Sequence, residues 1–283
     1  MPLAFSTLGC PGATLAQVLN LAVASGATGV ELRAAEGEFI HPNLSRSQRL
    51  ALKAAFAEAG LTVLALASYV RICAPTPQDG SVSAELRAAV DLAADLGAQN
   101  VRVFPGAGLA PADTGQAPSL ELAAADALGA SRLAGVASYA RERGVRVLLE
   151  THDSHPRAAD VLRILELLPE GTGAGVIWDL MHPWRHDEAP EDTARLLGRH
   201  LAYAQYKDGV RSQGTHNVTL TLPGHGELPL LRMTELASAT LAANGILDPW
   251  QSLEWEKAWH PELPPLAEAL TELQAVLTQK TSA

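Results

Sequence analysis

The sequence predicts an α/β protein folded as a single (β/α)8 TIM barrel domain over residues 1–283, and three observations lead to this prediction. Short β-rich runs alternate eight times with alanine- and leucine-rich helical stretches, which is the pattern of βαβ units around a parallel sheet. The length of 283 residues suits one barrel, which typically takes about 250 residues. Doubly wound open sheets commonly have a glycine-rich phosphate-binding turn after the first strand, and this sequence has none there.

The predicted elements follow one another in a regular order along the chain. The predicted strands are Leu3–Thr7, Thr28–Arg33, Leu61–Ala67, Asn100–Phe104, Val145–Glu150, Gly175–Asp179, Leu201–Lys207 and Trp250–Glu254. The helical stretches that follow them cover Leu15–Ser25, Ser45–Ala59, Ser83–Leu96, Leu120–Arg143, Arg157–Leu168, Glu191–Gly198, Pro229–Ala243 and Glu262–Thr278. Four helix–strand joints carry a glycine just past the helix, where a left-handed conformation ends a helix; these are Gly26, Gly60, Gly97 and Gly144.

Composition disfavours several classes of function. The formal net charge is −10 with an isoelectric point near 5.3, and nonspecific nucleic-acid binding needs a basic surface, so we expect no nucleic-acid partner. No apolar stretch approaches the ~20 residues that span a bilayer. Residues Met1–Cys10 lack the basic and long apolar regions of a signal peptide. We therefore expect a cytoplasmic protein without a membrane partner.

Each of the last four predicted strands ends in an acidic or amide side chain. Glu150, Asp179 and Glu254 follow apolar residues in the fifth, sixth and eighth strands, and Gln205 lies in the seventh. Burying an unpaired carboxylate is costly, and at a barrel mouth these groups would converge and repel one another. A divalent cation removes that repulsion and needs oxygen ligands of this kind. A cap or a salt bridge would explain one carboxylate, but three at equivalent depth favour a metal site.

Two histidines follow the presumed ligands directly. His182 lies three residues after Asp179, and His152 lies two residues after Glu150. Residues two apart share a face if the strand continues, so His152 is expected beside Glu150. Both are candidates for contact with substrate, and the alternative for each is a structural histidine.

Lys207 is a further candidate because it lies two residues beyond Gln205 and so points into the same mouth if the strand persists. It could neutralise an oxyanion or a phosphate of the substrate. The alternative is a simple ion pair with Asp208 or Glu256. The sequence leaves both readings open.

Other polar residues near the predicted mouth carry weaker signals. Glu31 lies near the end of the second strand. It could form a hydrogen bond to a metal ligand's partner or to a substrate hydroxyl, and the alternative is a salt bridge with Arg33 or Arg71. His225 lies in the loop Pro223–Pro229, where barrels often bind phosphate. Three tryptophans could also line the pocket: Trp178, Trp184 and Trp255. Trp178 directly precedes Asp179, however, so the favoured reading is that it faces the helices.

Several motifs together resemble those of the xylose-isomerase-like barrels, a superfamily of sugar and sugar-phosphate isomerases and epimerases, inosose dehydratases, hydroxypyruvate isomerases and endonuclease IV. The resemblance covers essentially the whole chain. It specifies the superfamily well and the substrate poorly. The motifs are "LLETHDSH", "VIWDLMHP", "AQYKDG", "SLEWE", "GVELR" and "PGHGELP".

The resemblance implies that Glu150, Asp179, Gln205 and Glu254 ligate one divalent metal ion and that Glu150 and Glu254 also transfer protons. Many relatives have histidine at the place of Gln205, and an amide oxygen favours Mn²⁺ or Mg²⁺ over Zn²⁺; Co²⁺ and Zn²⁺ remain alternatives. It further implies that His182 contacts a small sugar, sugar phosphate or cyclitol. A homodimer is expected by the same analogy.

The implied reaction is isomerisation or epimerisation by proton transfer through an enediolate, which a cation stabilises. A lyase of the inosose dehydratase type is the first alternative, since expelling a β-hydroxyl starts from the same intermediate. A non-catalytic sugar-binding barrel is the second, because the strand-seven histidine is replaced. A nuclease of the endonuclease IV type is disfavoured by the negative charge.

Overall fold

The computed structural model describes residues 1–75 and 79–279, and in these residues eight parallel strands close into a barrel in the order β1-β10-β7-β6-β5-β4-β3-β2. This confirms the predicted (β/α)8 TIM barrel. The ten strands are β1 Leu3–Ser6, β2 Gly29–Arg33, β3 Thr62–Arg71, β4 Asn100–Phe104, β5 Arg146–Glu150, β6 Gly175–Asp179, β7 Leu201–Tyr206, β8 Asp208–Arg211, β9 Val218–Thr221 and β10 Gln251–Leu253.

Seven of the eight barrel strands match the sequence prediction within one residue at each end, and β3 is the exception. It was predicted to end at Ala67 but continues to Arg71. Its pairing with β4 shifts register after Ala67 and resumes with Arg71 opposite Phe104. A bulge of this kind bends a strand, and here it lies in the part of β3 that extends beyond the predicted end.

The helices lie between the strands as expected, with differences at their ends. They are α1 Leu15–Ser25, α2 Arg46–Glu58, α3 Asp79–Leu96, α4 Leu120–Glu142, α5 Ala158–Leu165, α6 Met181–Arg185, α7 Pro190–Leu197, α8 Leu230–Ala243 and α9 Leu266–Thr278. The last begins four residues later than predicted because Pro264 and Pro265 exclude the helical conformation from the residues before them. No described helix is long and apolar enough to cross a membrane.

A two-stranded antiparallel hairpin, β8–β9, follows β7 and was not predicted. Its register pairs Asp208 with Thr221 and Arg211 with Val218. The loop after it closes on the Asp208 carboxylate, which accepts the backbone N–H groups of Gly209, Gly224, Gly226 and Leu228. Gly226 lies so close to Asp208 that a Cβ there would overlap the carboxylate. These N–H groups are therefore not available to a phosphate.

The barrel interior changes character from one end to the other. Near the amino ends of the strands it is apolar, with Ala4, Leu64, Ala65, Leu148 and Ile177 in one buried cluster. Tyr203 belongs to the same cluster, and Trp250 packs against Gly29 where a Cβ would not fit. At the carboxyl ends the inward side chains are ionisable, as in other barrels whose active sites lie on that face.

Candidate active site

Three carboxylates converge at the carboxyl-terminal mouth of the barrel. Glu150 ends β5, Asp179 ends β6 and Glu254 directly follows β10. One oxygen from each lies within 4.8 Å of the others, and all three side chains are buried. The sequence prediction that these residues lie together at one end of the barrel agrees with this geometry.

Gln205 lies between these carboxylates because β7 pairs with both β6 and β10, with Gln205 opposite Asp179 and Ser252. Its Nε2 donates to Glu31 Oε2 at 3.0 Å and to Glu254 Oε1 at 3.4 Å. Since carboxylates only accept hydrogen bonds, these contacts fix the orientation of the amide. Its buried Oε1 has no hydrogen-bond partner among the described residues and is free to act as a ligand.

Glu31 supports Gln205 and does not form the predicted alternative, a salt bridge with Arg33 or Arg71. Its carboxylate accepts from the Tyr203 hydroxyl at 2.7 Å, from Ser252 Oγ and from Gln205. Burial raises the pKa of Glu31, although the hydrogen bonds from Ser252 and Tyr203 act to lower it. Arg33 pairs with Glu38 instead. Tyr203 and Ser252 were not singled out from the sequence, since which inward side chains meet depends on strand stagger.

Lys207 contacts three carboxylates at once. Its buried Nζ lies 2.7 Å from Asp179 Oδ2, 2.6 Å from Glu254 Oε2 and 2.6 Å from Glu256 Oε1. Burial alone would lower its pKa, but these three negative charges raise it well above the ordinary value. Of the two partners predicted by the alternative reading, Glu256 is found and Asp208 is not, because Asp208 is bound by the loop that follows the hairpin.

Arg102, on β4, is the most consequential residue that the sequence analysis missed. Its Nη1 donates to Glu150 Oε2 at 3.0 Å and to Glu254 Oε1 at 3.2 Å. Its guanidinium lies over the Phe104 ring at 4.1 Å, and Nη2 donates to the Ser68 carbonyl. The available signal was an arginine inside the apolar strand "NVRVF", because a buried arginine requires an acidic partner.

The two glutamates that share Arg102 differ in proton affinity. Burial and the charge of Glu254 raise the pKa of Glu150 to about 8. Burial also opposes ionisation of Glu254, but Lys207 and Arg102 outweigh it and lower its pKa to about 2. Their surroundings therefore push the proton affinities of the two carboxyls apart, an arrangement that suits acid–base catalysis.

Asp179 also positions His182. Its Oδ1 accepts the backbone N–H groups of Met181 at 2.9 Å and His182 at 3.3 Å, so it caps the short helix α6, which was not among the predicted helices. Neither ring nitrogen of His182 has a hydrogen-bond partner in the described part of the chain. Burial holds the pKa of His182 well below its ordinary value, so the ring is neutral.

Five rings form a continuous arc along the rim of the site, which we call the aromatic arc: Trp259, Tyr69, Phe104, His152 and His182. Successive ring centroids are separated by 6.2, 6.1, 4.4 and 4.4 Å. Trp259 is 54% exposed and Tyr69 37% exposed, whereas Phe104 and His182 are buried. The arc therefore begins in solvent and ends beside the carboxylates, as the wall of a substrate cleft would.

A sequence model of the xylose isomerase-like TIM barrel family matches residues 19–279. The chain belongs to this family. No curated protein matches it in sequence, so the family relationship carries no specific activity with it.

Several solved structures share the fold of this chain, although their sequence identity to it is low. The IolI protein, solved with a zinc atom, has a TM-score of 0.76 and 17% identity, covering 99% of this chain and 97% of that one. D-psicose 3-epimerase from Clostridium cellulolyticum H10, solved with D-tagatose, has a TM-score of 0.73 and 16% identity. The match covers 98% of this chain and 97% of that one. The probable 3-DHS dehydratase AsbF from Bacillus anthracis has a TM-score of 0.71 and 14% identity. The match covers 98% of this chain and 99% of that one.

Some residues that the sequence suggested as lining of the pocket lie outside the mouth of the barrel. Trp178 and Trp255 are fully buried in the layer between strands and helices, and Trp255 Nε1 donates to the Pro264 carbonyl. His225 is exposed and lies 3.5 Å from Glu272 on α9. Trp178 therefore faces the helices, as expected from its place before Asp179, whereas the suggestion that Trp255 and His225 could line the cleft is wrong.

Proposed function

We propose that this protein is a divalent-metal-dependent isomerase or epimerase of a small sugar, sugar phosphate or cyclitol. The observation that supports this most is that Glu150, Asp179 and Glu254 converge within 4.8 Å at the mouth of a xylose isomerase-like TIM barrel. The active sites of TIM barrels lie on this face, and buried carboxylates brought this close are stable only with cations.

The donor set fits a divalent cation. Five buried or half-buried carboxylates meet two cationic side chains here: Glu31, Glu150, Asp179, Glu254 and Glu256 against Arg102 and Lys207. Glu150 Oε1 and Gln205 Oε1 are buried without a hydrogen-bond partner in residues 1–75 and 79–279. Oxygen donors suit Mg²⁺ and Mn²⁺, with Co²⁺ and Zn²⁺ as alternatives. Glu150, Asp179, Gln205 and Glu254 would hold the ion.

A bound cation would stabilise negative charge that develops on neighbouring substrate oxygens. The protein's own part is the movement of a proton. One glutamate of the pair Glu150 and Glu254 takes the proton from the carbon next to the carbonyl, and the C–H electron pair moves toward the carbonyl oxygen. Return of a proton to the opposite face inverts that carbon. Its return to the former carbonyl carbon gives the isomer, provided that the adjacent hydroxyl passes its proton to the former carbonyl oxygen.

The surrounding residues orient this pair and the substrate. Arg102 holds one oxygen of each glutamate at the same Nη1 and so fixes their separation. The neutral His182 ring, with both nitrogens unbonded in the described chain, can donate to or accept from a substrate hydroxyl. His152, 28% exposed, is nearer solvent and would contact the far end of a substrate. Because Asp208 occupies the Gly224–Gly226 amides, a sugar phosphate would need another phosphate site, which favours a free sugar or cyclitol.

The test is exchange of substrate hydrogen with D₂O, followed by mass spectrometry across a panel of ketoses and inososes in the presence of Mn²⁺. Deuterium in a recovered or inverted sugar is expected. Loss of water from the substrate would instead identify a dehydratase, for which the shared fold of the probable dehydratase AsbF gives a precedent. No exchange with any member would contradict proton transfer and leave the non-catalytic sugar-binding reading.

A further inference from the structure

Lys207 lies where the proposed metal ligands face one another. Its Nζ contacts Asp179 Oδ2 at 2.7 Å and Glu254 Oε2 at 2.6 Å, and its side chain is 1% exposed. Arg102, in contrast, occupies Glu150 Oε2 and Glu254 Oε1. The ammonium group therefore holds one oxygen from each of two proposed ligands.

An ammonium ion and a divalent cation cannot both use these oxygens at full strength. A Mg²⁺ or Mn²⁺ ion requires carboxylate oxygens at about 2.0–2.2 Å. Two cations that share the same pair of carboxylates repel each other, and the repulsion is weakly screened in a buried site. Binding of the metal ion must therefore weaken or break the contacts of Lys207 with Asp179 and Glu254.

Glu256 offers Lys207 a position to which it can withdraw. It lies 2.6 Å from Nζ, but it is not one of the three carboxylates that converge within 4.8 Å. Its side chain is 19% exposed, whereas those of Asp179 and Glu254 are 0% and 4% exposed. Lysine has a flexible four-carbon chain, so a small rotation can leave Nζ bonded to Glu256 alone.

We propose that Lys207 is an internal counter-ion that competes with the divalent cation for Asp179 and Glu254, and that Glu256 retains it when the cation binds. This rests on the metal site of the proposed function. The metal affinity is then set by Lys207 and Glu256 as well as by the ligands. Without metal, the same ammonium ion keeps the carboxylate cluster folded.

The first experiment measures Mn²⁺ affinity by isothermal titration calorimetry for the full chain and for Lys207→Met. We expect Lys207→Met to bind at least 10-fold more tightly, about 1.4 kcal/mol, because the competing charge is gone. Lys207→Arg is the matched control and should bind within about threefold of the natural chain, since it keeps the charge. Equal or weaker binding by Lys207→Met would overturn the proposal.

The second experiment tests whether Glu256 acts through Lys207. Glu256→Gln should weaken Mn²⁺ binding several-fold in the natural chain, because Lys207 loses the carboxylate to which it withdraws. In the Lys207→Met background the same change should have little effect, since additivity fails only for coupled residues. An equal loss in both backgrounds would show that Glu256 acts by its own charge and would contradict its retaining role.

Folding is checked in the same samples. Lys207→Met leaves the carboxylates less compensated, so its metal-free melting temperature should fall and added Mn²⁺ should raise it more than in the natural chain, because a ligand that binds only the folded state stabilises it. Lys207→Gln serves as a second neutral variant. Equal affinities in all variants refute the Lys207 proposal alone, whereas no Mn²⁺ binding by any variant refutes the metal site and the proposed function with it.

Discussion

Two buried ion networks in this barrel look alike in composition and differ in how completely their acceptor oxygens are paired. One lies between α4, α5 and the loop after β5, and we call it the α4–α5 network. There Asp126 accepts from His155 Nε2 at 2.5 Å and from Arg163 Nε at 2.8 Å, and both oxygens of Asp160 accept from Arg157 or Arg163. Arg157 also donates to Thr114 Oγ1 at 2.7 Å, which ties down the loop after β4.

The mouth cluster of Glu150, Asp179, Gln205 and Glu254 is just as buried, but it leaves Glu150 Oε1 and Gln205 Oε1 without hydrogen bonds in the described chain. Buried polar groups are normally paired. In the α4–α5 network every carboxylate oxygen of Asp126 and Asp160 accepts a hydrogen bond, and only the donor Arg163 Nη2 is left without a partner in the described chain. A network whose acceptors are all used in this way is expected to serve structure. A network with unused acceptors beside excess negative charge is expected to serve a ligand. The contrast separates a structural network from a candidate catalytic one without reference to sequence motifs.

The largest difference between the two networks should be in catalysis. Glu150→Gln should lower turnover at least about 100-fold, as is usual on loss of a general acid or base, and Glu254→Gln should do the same. The measurement is the rate of deuterium exchange with a substrate found in the panel. Asp126→Asn, in the α4–α5 network, is the control and should keep turnover per folded molecule. Ordinary turnover in either glutamine variant would remove that residue from the mechanism.

Stability should show the opposite order. Asp126→Asn removes the negative charge and one of the two acceptor oxygens that His155 and Arg163 use, and breaking one partner of a buried pair typically costs about 3–5 kcal/mol. Urea unfolding should show this loss as a lower midpoint. Asp192→Asn breaks an exposed pair with Arg195 and should leave the midpoint unchanged. A change in Asp126→Asn no larger than in Asp192→Asn would show that the α4–α5 network is not structural.

The networks should also respond to pH in different windows. Burial raises the pKa of Glu150 to about 8, so the folded, metal-free protein binds a proton that the unfolded chain releases near pH 4.5. Its stability should therefore decline as pH rises from about 4.5 to about 8 in the presence of a chelator. Hydrogen bonds from His155 and Arg163 outweigh burial and lower the pKa of Asp126, so its contribution is lost only in acid, below about pH 4.

The pH prediction is checked by urea midpoints between pH 5 and 8.5 with a chelator present. Glu150→Gln should make the decline in this window less steep, because one group that gives up its proton is gone, whereas Glu31 and Asp179, whose pKa burial also raises, remain. Asp126→Asn should keep the decline while lowering every midpoint. A midpoint that rises with pH in the natural chain, or an unchanged slope in Glu150→Gln, would contradict the assignment.

The smallest effect is expected at the exposed end of the aromatic arc. Trp259→Ala should raise KM several-fold and change kcat less than about twofold, because an interaction made equally in the ground and transition states affects binding alone. Leu247→Ala is the control, since Leu247 is 84% exposed in the loop before β10, at the opposite end of the barrel. An unchanged KM in Trp259→Ala would exclude that end of the arc from the substrate cleft.

The sequence predicted the fold and the candidate ligands because both depend on local signals. Strand ends can be located from glycine joints and apolar runs, and the residue at each strand end then lies at the mouth whatever the details of packing. Glu150, Asp179 and Glu254 could be proposed in this way. The hairpin β8–β9 was missed because its strands are short and partly exposed, which leaves little hydrophobic pattern to detect.

Contacts across the barrel could not be predicted, since they depend on strand stagger and on which side chains reach furthest. Arg102 extends from β4 to Glu254 beside β10, and Tyr203 and Ser252 reach Glu31 from two other strands. Lys207 could be placed at the mouth, but of its three partners only Glu256 was suggested, and Asp179 and Glu254 were not. Paired charges therefore have to be read from the structure, whereas their positions along the strands can be read from the sequence.

The central claim is that four side chains hold one cation, and a crystal grown with Mn²⁺ tests it by anomalous scattering. We expect one peak bonded to Glu150, Asp179, Gln205 and Glu254, with Lys207 Nζ withdrawn to Glu256. A map without a peak at this position, in which Arg102 and Lys207 still hold all three carboxylates, would contradict it.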